Sequence, residues 1–157
     1  ELRTIVLGLG NPILGDDAVG CRVAEALAAS LRGREDVEVE PFYRGGIALM
    51  ERLIGYERAV IVDSIQGLGG KVGTIHRLTL EDLPTLYANS PHDASLKAAL
   101  QLGRELGADL PKEMVIFAVE IRAQLDFTEN LSPEVEASIA PLVERVLEEL
   151  APQAGLA

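Results

Sequence analysis

The sequence has little of several residue types that mark common classes of protein. It contains one cysteine, Cys21, and no tryptophan. A single cysteine excludes an internal disulfide and a zinc site built from several thiolates, and it favours a cytoplasmic location. No apolar run approaches the roughly 20 residues of a membrane-spanning helix, and no stretch has the pattern of a signal peptide. We therefore expect a cytoplasmic protein that does not enter the membrane.

Basic residues are also scarce. The chain has 14 Lys and Arg residues against 25 Asp and Glu residues, which gives a net charge of −11. Because nucleic-acid binding needs a basic surface, this charge argues against a nucleic-acid partner. The 157 residues are 48% hydrophobic, which is typical of one globular domain. We expect a single domain over residues 1–157, with a frayed tail after about residue 151.

Short apolar segments alternate with helical repeats along the chain. This alternation predicts a three-layer α/β/α sandwich around a twisted, mainly parallel sheet of about five strands. Ligands bind beyond the carboxyl ends of such strands, so the 11–17 loop, Asp63 and Glu120 are expected at one edge. Pro41 predicts either the end of the second strand or an edge position for it. The predicted strands are residues 5–8, 36–42, 58–63, 72–78 and 114–121, and the predicted helices begin at residues 16, 47, 91 and 133.

Three stretches place a metal-ligating side chain at a strand end or a helix start. They are the acidic pair Asp16-Asp17, then Asp63, then His92. Two carboxylates and one imidazole suit a divalent ion such as nickel, zinc or manganese. A helix N-terminus disfavours protonation of His92, and a metal needs the neutral imidazole. The convergence of these residues predicts a metal site.

Each of these residues has a purely structural alternative. Acids at a helix start are usually caps, and only one of an adjacent pair can cap. We assign Asp16 as the cap, and by pattern alone Asp17 is more often a first-turn acid than a metal ligand. Asn11 and its neighbouring glycines are interpreted as the bend that brings this helix start to the sheet edge.

Other candidates are weaker. Cys21 lies among apolar residues and is interpreted as a buried structural thiol. Ser64 has no Gly-x-Ser-x-Gly context, and His76 is interpreted as a surface residue. The Gly8-Leu9-Gly10 turn lacks the third glycine of a dinucleotide fingerprint. The residues of the sequence therefore do not identify a catalytic nucleophile.

Four motifs together resemble the hydrogenase maturation proteases, and the resemblance spans about residues 4–150. Family members remove a short C-terminal peptide from the large subunit of nickel–iron hydrogenases after nickel has been inserted. The resemblance implies that Asp17, Asp63 and His92 contact metal, with nickel supplied by the substrate and zinc or cadmium as surrogates. It also implies the large-subunit precursor as partner, for which a monomer suffices. The motifs are Leu7-Gly8-Leu9-Gly10-Asn11-Pro12 with Gly15-Asp16-Asp17-Ala18-Val19-Gly20, Val62-Asp63, Ser90-Pro91-His92-Asp93-Ala94-Ser95-Leu96, and Leu131-Ser132-Pro133-Glu134-Val135.

One stretch departs from the family pattern. Many relatives carry Asp, Gly and Thr after the second strand, where this chain has Pro41-Phe42-Tyr43-Arg44-Gly45-Gly46. This difference changes one wall of the expected cleft.

Three other functions stay open at this point. A nickel-binding chaperone would hold the precursor without cutting it. A peptidyl-tRNA hydrolase would share the Gly8-Leu9-Gly10-Asn11-Pro12 turn, but the acidic charge and the lack of a histidine before residue 76 oppose it. A domain whose acids are only caps would bind no metal.

Overall fold

A five-stranded sheet forms the centre of the structure. The computed structural model describes residues 3–43, 45–82, 91–122 and 127–151, with the backbone alone for residues 91–96. The strand order is β2-β1-β3-β5-β4, in which β4 runs antiparallel to β5 and the other neighbours pair in parallel. The strands are β1 Thr4–Leu9, β2 Val37–Phe42, β3 Arg58–Ile65, β4 Ile75–Leu78 and β5 Glu113–Glu120.

Helices cover both faces of this sheet. Helices α1 and α4 pack together on one face, and α2 and α3 pack together on the other. This arrangement confirms the predicted α/β sandwich. Within the described parts of the chain, no helix is both long and apolar enough to cross a membrane. The helices are α1 Val19–Ser30, α2 Gly46–Leu53, α3 Pro91–Glu105 and α4 Pro133–Leu150, and 3₁₀ turns occur at Gly15–Ala18 and Leu80–Asp82.

Alternation along the strands divides the buried side chains into two cores. Ile61 and Ile65 of β3 belong to the core under α2 and α3, whereas Val60 and Val62 belong to the core under α1 and α4. Because successive strand residues point to opposite faces, Asp63 lies on the α2 and α3 side. Ser64 lies on the α1 and α4 side. Neighbouring residues of one strand therefore serve both faces.

The predicted elements are confirmed, with differences at their ends. The helix expected from residue 16 begins as a 3₁₀ turn and becomes α-helical at Val19. Strand β4 begins at Ile75 rather than residue 72 because the chain turns at Gly73, where φ is +95°. Pro41 does lie in an edge strand, as predicted. Ser90 and the stretch of residues 83–89 lie outside the described residues.

Candidate active site at the carboxyl edge of the sheet

The end of β1 lies against the start of α1 with no room for side chains. A Cβ atom on Gly8 would lie 2.0 Å from the Gly20 carbonyl oxygen. A Cβ atom on Gly10 would lie 2.0 Å from the Asp17 carbonyl oxygen, and Gly10 also has a φ of +141°. Only glycine fits such contacts. The predicted bend therefore holds the Asp17 backbone directly on the end of β1.

Both carboxylate oxygens of Asp17 accept hydrogen bonds. The Ser64 hydroxyl donates to Oδ1 at 2.7 Å, and the Asn11 backbone N–H donates to Oδ2 at 2.9 Å. The Asn11 side chain instead accepts from the Ile13 backbone N–H. Asn11 thus supports Asp17 through its backbone, and donors from two elements fix the carboxylate.

Asp63 lies beside the same serine. Its side chain is almost fully buried, with 2% of the residue exposed, and its Oδ1 accepts the Ser64 backbone N–H at 2.7 Å. Ser64 therefore donates to Asp63 through its backbone and to Asp17 through its hydroxyl. This arrangement brings Asp17 and Asp63 to either side of one residue. Their role as metal ligands stays a prediction.

His92 lies in the first turn of α3, which begins at Pro91 as predicted. Its side chain lies outside the described residues. Helix α3 packs on the same face of the sheet as Asp63, since Leu100 joins the core that contains Ile61 and Ile65. Among the described side chains, no three ligating groups lie together. A third ligand beside Asp17 and Asp63 would have to come from a residue such as His92.

The interpretation of Asp16 as a helix cap is wrong. Neither the Gly15–Ala18 turn nor α1 has a side-chain cap. The Asp16 carboxylate instead accepts the Ser132 backbone N–H at 2.6 Å and the Ser132 hydroxyl at 2.8 Å. Ser132 precedes Pro133, and its hydroxyl makes no cap within α4. Asp16 thus ties the turn before α1 to the start of α4, a partner 116 residues away.

The interpretation of His76 as a surface residue is also wrong. His76 is half-buried, and its Nε2 lies 3.2 Å from Oε1 of Glu120. The other Glu120 oxygen accepts the Gly67 backbone N–H at 2.8 Å. Glu120 does lie at the carboxyl end of β5, but its side chain contacts Gly67, in the loop after β3, and His76 of β4. No described contact joins it to Asp17.

Cys21 is buried, as predicted, and its Sγ lies 3.4 Å from the Gly10 carbonyl oxygen. Burial is the largest cause that raises the pKa of its thiol from 9.0 to about 11. The nearby carboxylates of Asp17, Glu25 and Asp63 raise this pKa further. The charges of Asp17 and Asp63 therefore both raise the pKa of the Cys21 thiol, which places the two carboxylates in the same region.

The raised pKa predicts an unreactive thiol. A rise from 9.0 to about 11 lowers the thiolate fraction about 100-fold at pH 8. Native protein should react with an aromatic disulfide reagent at least about 100-fold more slowly than urea-unfolded protein. Equal rates for the native and unfolded protein would show that Cys21 is accessible and ionisable.

The comparison with known proteins decides the family. Residues 21–149 match the family model for hydrogenase maturation proteases. The chain belongs to the hydrogenase maturation protease family. It is 34% identical to the hydrogenase 2 maturation protease of Escherichia coli strain K12 over 148 residues, which is 93% of this chain and 89% of that protein.

Solved structures of hydrogenase maturation proteases share the fold. The maturating endopeptidase HybD from E. coli aligns with a TM-score of 0.79 at 32% identity, covering 95% of this chain and 92% of that one. The [NiFe] hydrogenase maturation protease HycI from Thermococcus kodakarensis KOD1 aligns with a TM-score of 0.70 at 26% identity, covering 94% and 92%. The chain is therefore a peptidase, and these relatives favour this function over the chaperone and the peptidyl-tRNA hydrolase.

Sequence reasoning missed Ser64 and Ser132 as partners of the two acids. The position of Ser64 could have indicated its role, because it directly follows Asp63 at the carboxyl end of a buried strand. Ser132 had the pattern of a helix cap, and no local pattern shows that it bonds to a distant carboxylate instead.

Proposed function

We propose that this protein is an endopeptidase that removes a C-terminal peptide from the nickel-loaded precursor of a nickel–iron hydrogenase large subunit. The placement of Asp17 and Asp63 on either side of Ser64 carries this proposal. Two carboxylates from separate elements each accept a hydrogen bond from this serine, at the sheet edge where α/β proteins bind ligands. The family supplies the reaction class, and these residues supply the contact with the metal.

The donor set fits a divalent ion. Two neighbouring carboxylates repel each other, and a divalent cation would offset both charges. Asp17, Asp63 and His92 would hold it, since carboxylate and imidazole donors suit nickel and also zinc or cadmium. A set of this kind without thiolates binds less firmly than a thiolate site, which favours nickel arriving as part of the precursor. Nickel would then position the scissile bond at this edge.

Exposed apolar side chains lie near this edge of the sheet, and they favour a protein as the substrate. Phe127 is 78% exposed, and the next residue, Thr128, donates its backbone N–H to the Ile13 carbonyl oxygen at 2.9 Å. Tyr43 and Ile47 follow the end of β2 and are also exposed. Exposed apolar groups near a polar site are typical of surfaces that bind another protein.

Cleavage should depend on the nickel in the precursor. We expect the protein to shorten the nickel-loaded precursor and to leave the nickel-free precursor intact, because the metal positions the bond to be cut. Mass spectrometry of both precursor forms after incubation measures this difference. Equal cleavage of both forms would contradict recognition through nickel, and no mass change in either form would contradict the proposed cleavage.

The two histidines of the chain provide a matched comparison. The same assay should show loss of cleavage for His92→Ala. His76→Ala should keep it, because His76 contacts Glu120 rather than Asp17 or Asp63. Full activity of His92→Ala would remove His92 from the site. The cytoplasmic location and the monomeric state stay predictions, and gel filtration tests the second.

A further inference from the structure

We propose that Ser64 is a positioning residue whose hydroxyl orients the Asp17 carboxylate for metal binding. The inference rests on the proposed function, because it assumes that Asp17 binds metal. Ser64 itself is not one of the proposed metal ligands, which are Asp17, Asp63 and His92. The hydrogen bond from Ser64 Oγ to Asp17 Oδ1, at 2.7 Å, carries it.

Ser64 cannot act as a nucleophile from its observed position. Only 1% of the residue is exposed, so its hydroxyl is closed off from a peptide substrate. The hydroxyl proton is donated to a carboxylate that lies in the turn before α1. The described role of the hydroxyl is therefore to hold the Asp17 carboxylate in place.

The hydroxyl connects Asp17 to a central, buried strand of the sheet. Strand β3 pairs with β1 on one side and β5 on the other, and its residues from Ala59 to Ile65 are all buried. Asp17 lies outside the sheet, in the short 3₁₀ turn Gly15–Ala18. The bond from Ser64 gives the carboxylate a fixed reference on this strand.

Two donors are needed to fix a carboxylate that can rotate about its side-chain bonds. The Asn11 N–H holds Oδ2, and the Ser64 hydroxyl holds Oδ1, so the orientation of the carboxylate plane is set. Each oxygen keeps a lone pair for a metal. Hydrogen bonds that orient metal ligands in this way typically change metal affinity by about 10- to 100-fold.

The chain contains a matched control for this bond. Ser132 donates its hydroxyl to Asp16 at 2.8 Å, the same chemical pair one residue earlier in the acidic turn. That pair ties the turn to α4 and touches neither Asp17 nor Asp63 in any described contact. Loss of the Ser132 hydroxyl should therefore affect folding without affecting a metal held by Asp17.

The test measures the Kd of Cd²⁺ for metal-free, folded protein by isothermal titration calorimetry, with Tm measured in parallel. Ser64→Ala should weaken Cd²⁺ binding by about 10-fold or more. Ser132→Ala should lower Tm and keep the Kd of the unaltered protein. A merely structural serine would lower Tm alone, so the change in Kd separates the two roles.

A double substitution shows whether Ser64 acts through Asp17. In the Asp17→Ala background, Ser64→Ala should cause no further loss of Cd²⁺ affinity. If Asp17→Ala weakens binding and Ser64→Ala does not, the positioning role is wrong and the metal site stands. If Asp17→Ala binds Cd²⁺ with unchanged Kd, both the role of Ser64 and the metal site at Asp17 are wrong.

Discussion

Asp17→Asn is expected to reduce cleavage of the nickel-loaded precursor, and the affinity for divalent metal, by at least about 100-fold. The amide keeps the size of the side chain but removes the negative charge and one oxygen donor. Loss of a supporting residue already costs about 10- to 100-fold in typical metal sites, and loss of a ligand costs at least the upper value. Single-turnover cleavage and Cd²⁺ titration measure the two effects.

The neighbouring acid is the control for this prediction. The Asp16 carboxylate binds the backbone and side chain of Ser132, so Asp16→Asn should act on stability. Disturbing a buried, hydrogen-bonded carboxylate costs about 1–3 kcal/mol, and Tm should fall while the Kd for metal stays constant. If the two variants lose metal affinity equally, the division of roles within the acidic pair is wrong.

Gly10→Ala is expected to destabilise the protein by about 3 kcal/mol or more. The φ of +141° is costly for alanine, and the new methyl group would lie 2.0 Å from the Asp17 carbonyl oxygen. Backbone strain contributes about 1–2 kcal/mol, and forced overpacking adds about 1–3 kcal/mol. For a chain of this size, such a loss lowers Tm by about 6–12 °C. Metal affinity should fall as well, because the turn that holds Asp17 must move.

Gly33→Ala separates strain from close contact. Gly33 also has a positive φ, of +88°, but no heavy atom beyond its two chain neighbours lies within 4 Å of the position that its Cβ would take. This variant should lose only about 1–2 kcal/mol and keep its metal affinity. Equal losses of Tm for Gly10→Ala and Gly33→Ala would show that the contact between β1 and the acidic turn is not as tight as described.

The sequence predicted the fold well because the signals for it are local. A run of apolar residues buried on both faces predicted β1, and the Ser-Pro pairs at residues 90–91 and 132–133 predicted the starts of α3 and α4. The end of β3 and the turn at Gly73 were harder, since neighbouring strands determine where pairing stops. Local patterns therefore located the elements, and tertiary contacts set their limits.

The partners of the site residues were not predictable in the same way. Asp16 and Asp17 are adjacent and chemically identical, yet one bonds to a residue 116 positions away and the other to a residue 47 positions away. Helix-cap statistics describe an isolated helix start and contain no information about such partners. His76 looked exposed for the same reason, because its pairing with Glu120 exists only when β4 joins β5.

The most direct test of the central claim is a crystal structure of this protein soaked with Cd²⁺ or Zn²⁺. We expect one anomalous peak within bonding distance of Asp17, Asp63 and His92, which for zinc is about 2.0–2.2 Å. Ser64 should still donate to Asp17 in that structure. A fully occupied metal that lies elsewhere and touches none of these three residues would contradict the account.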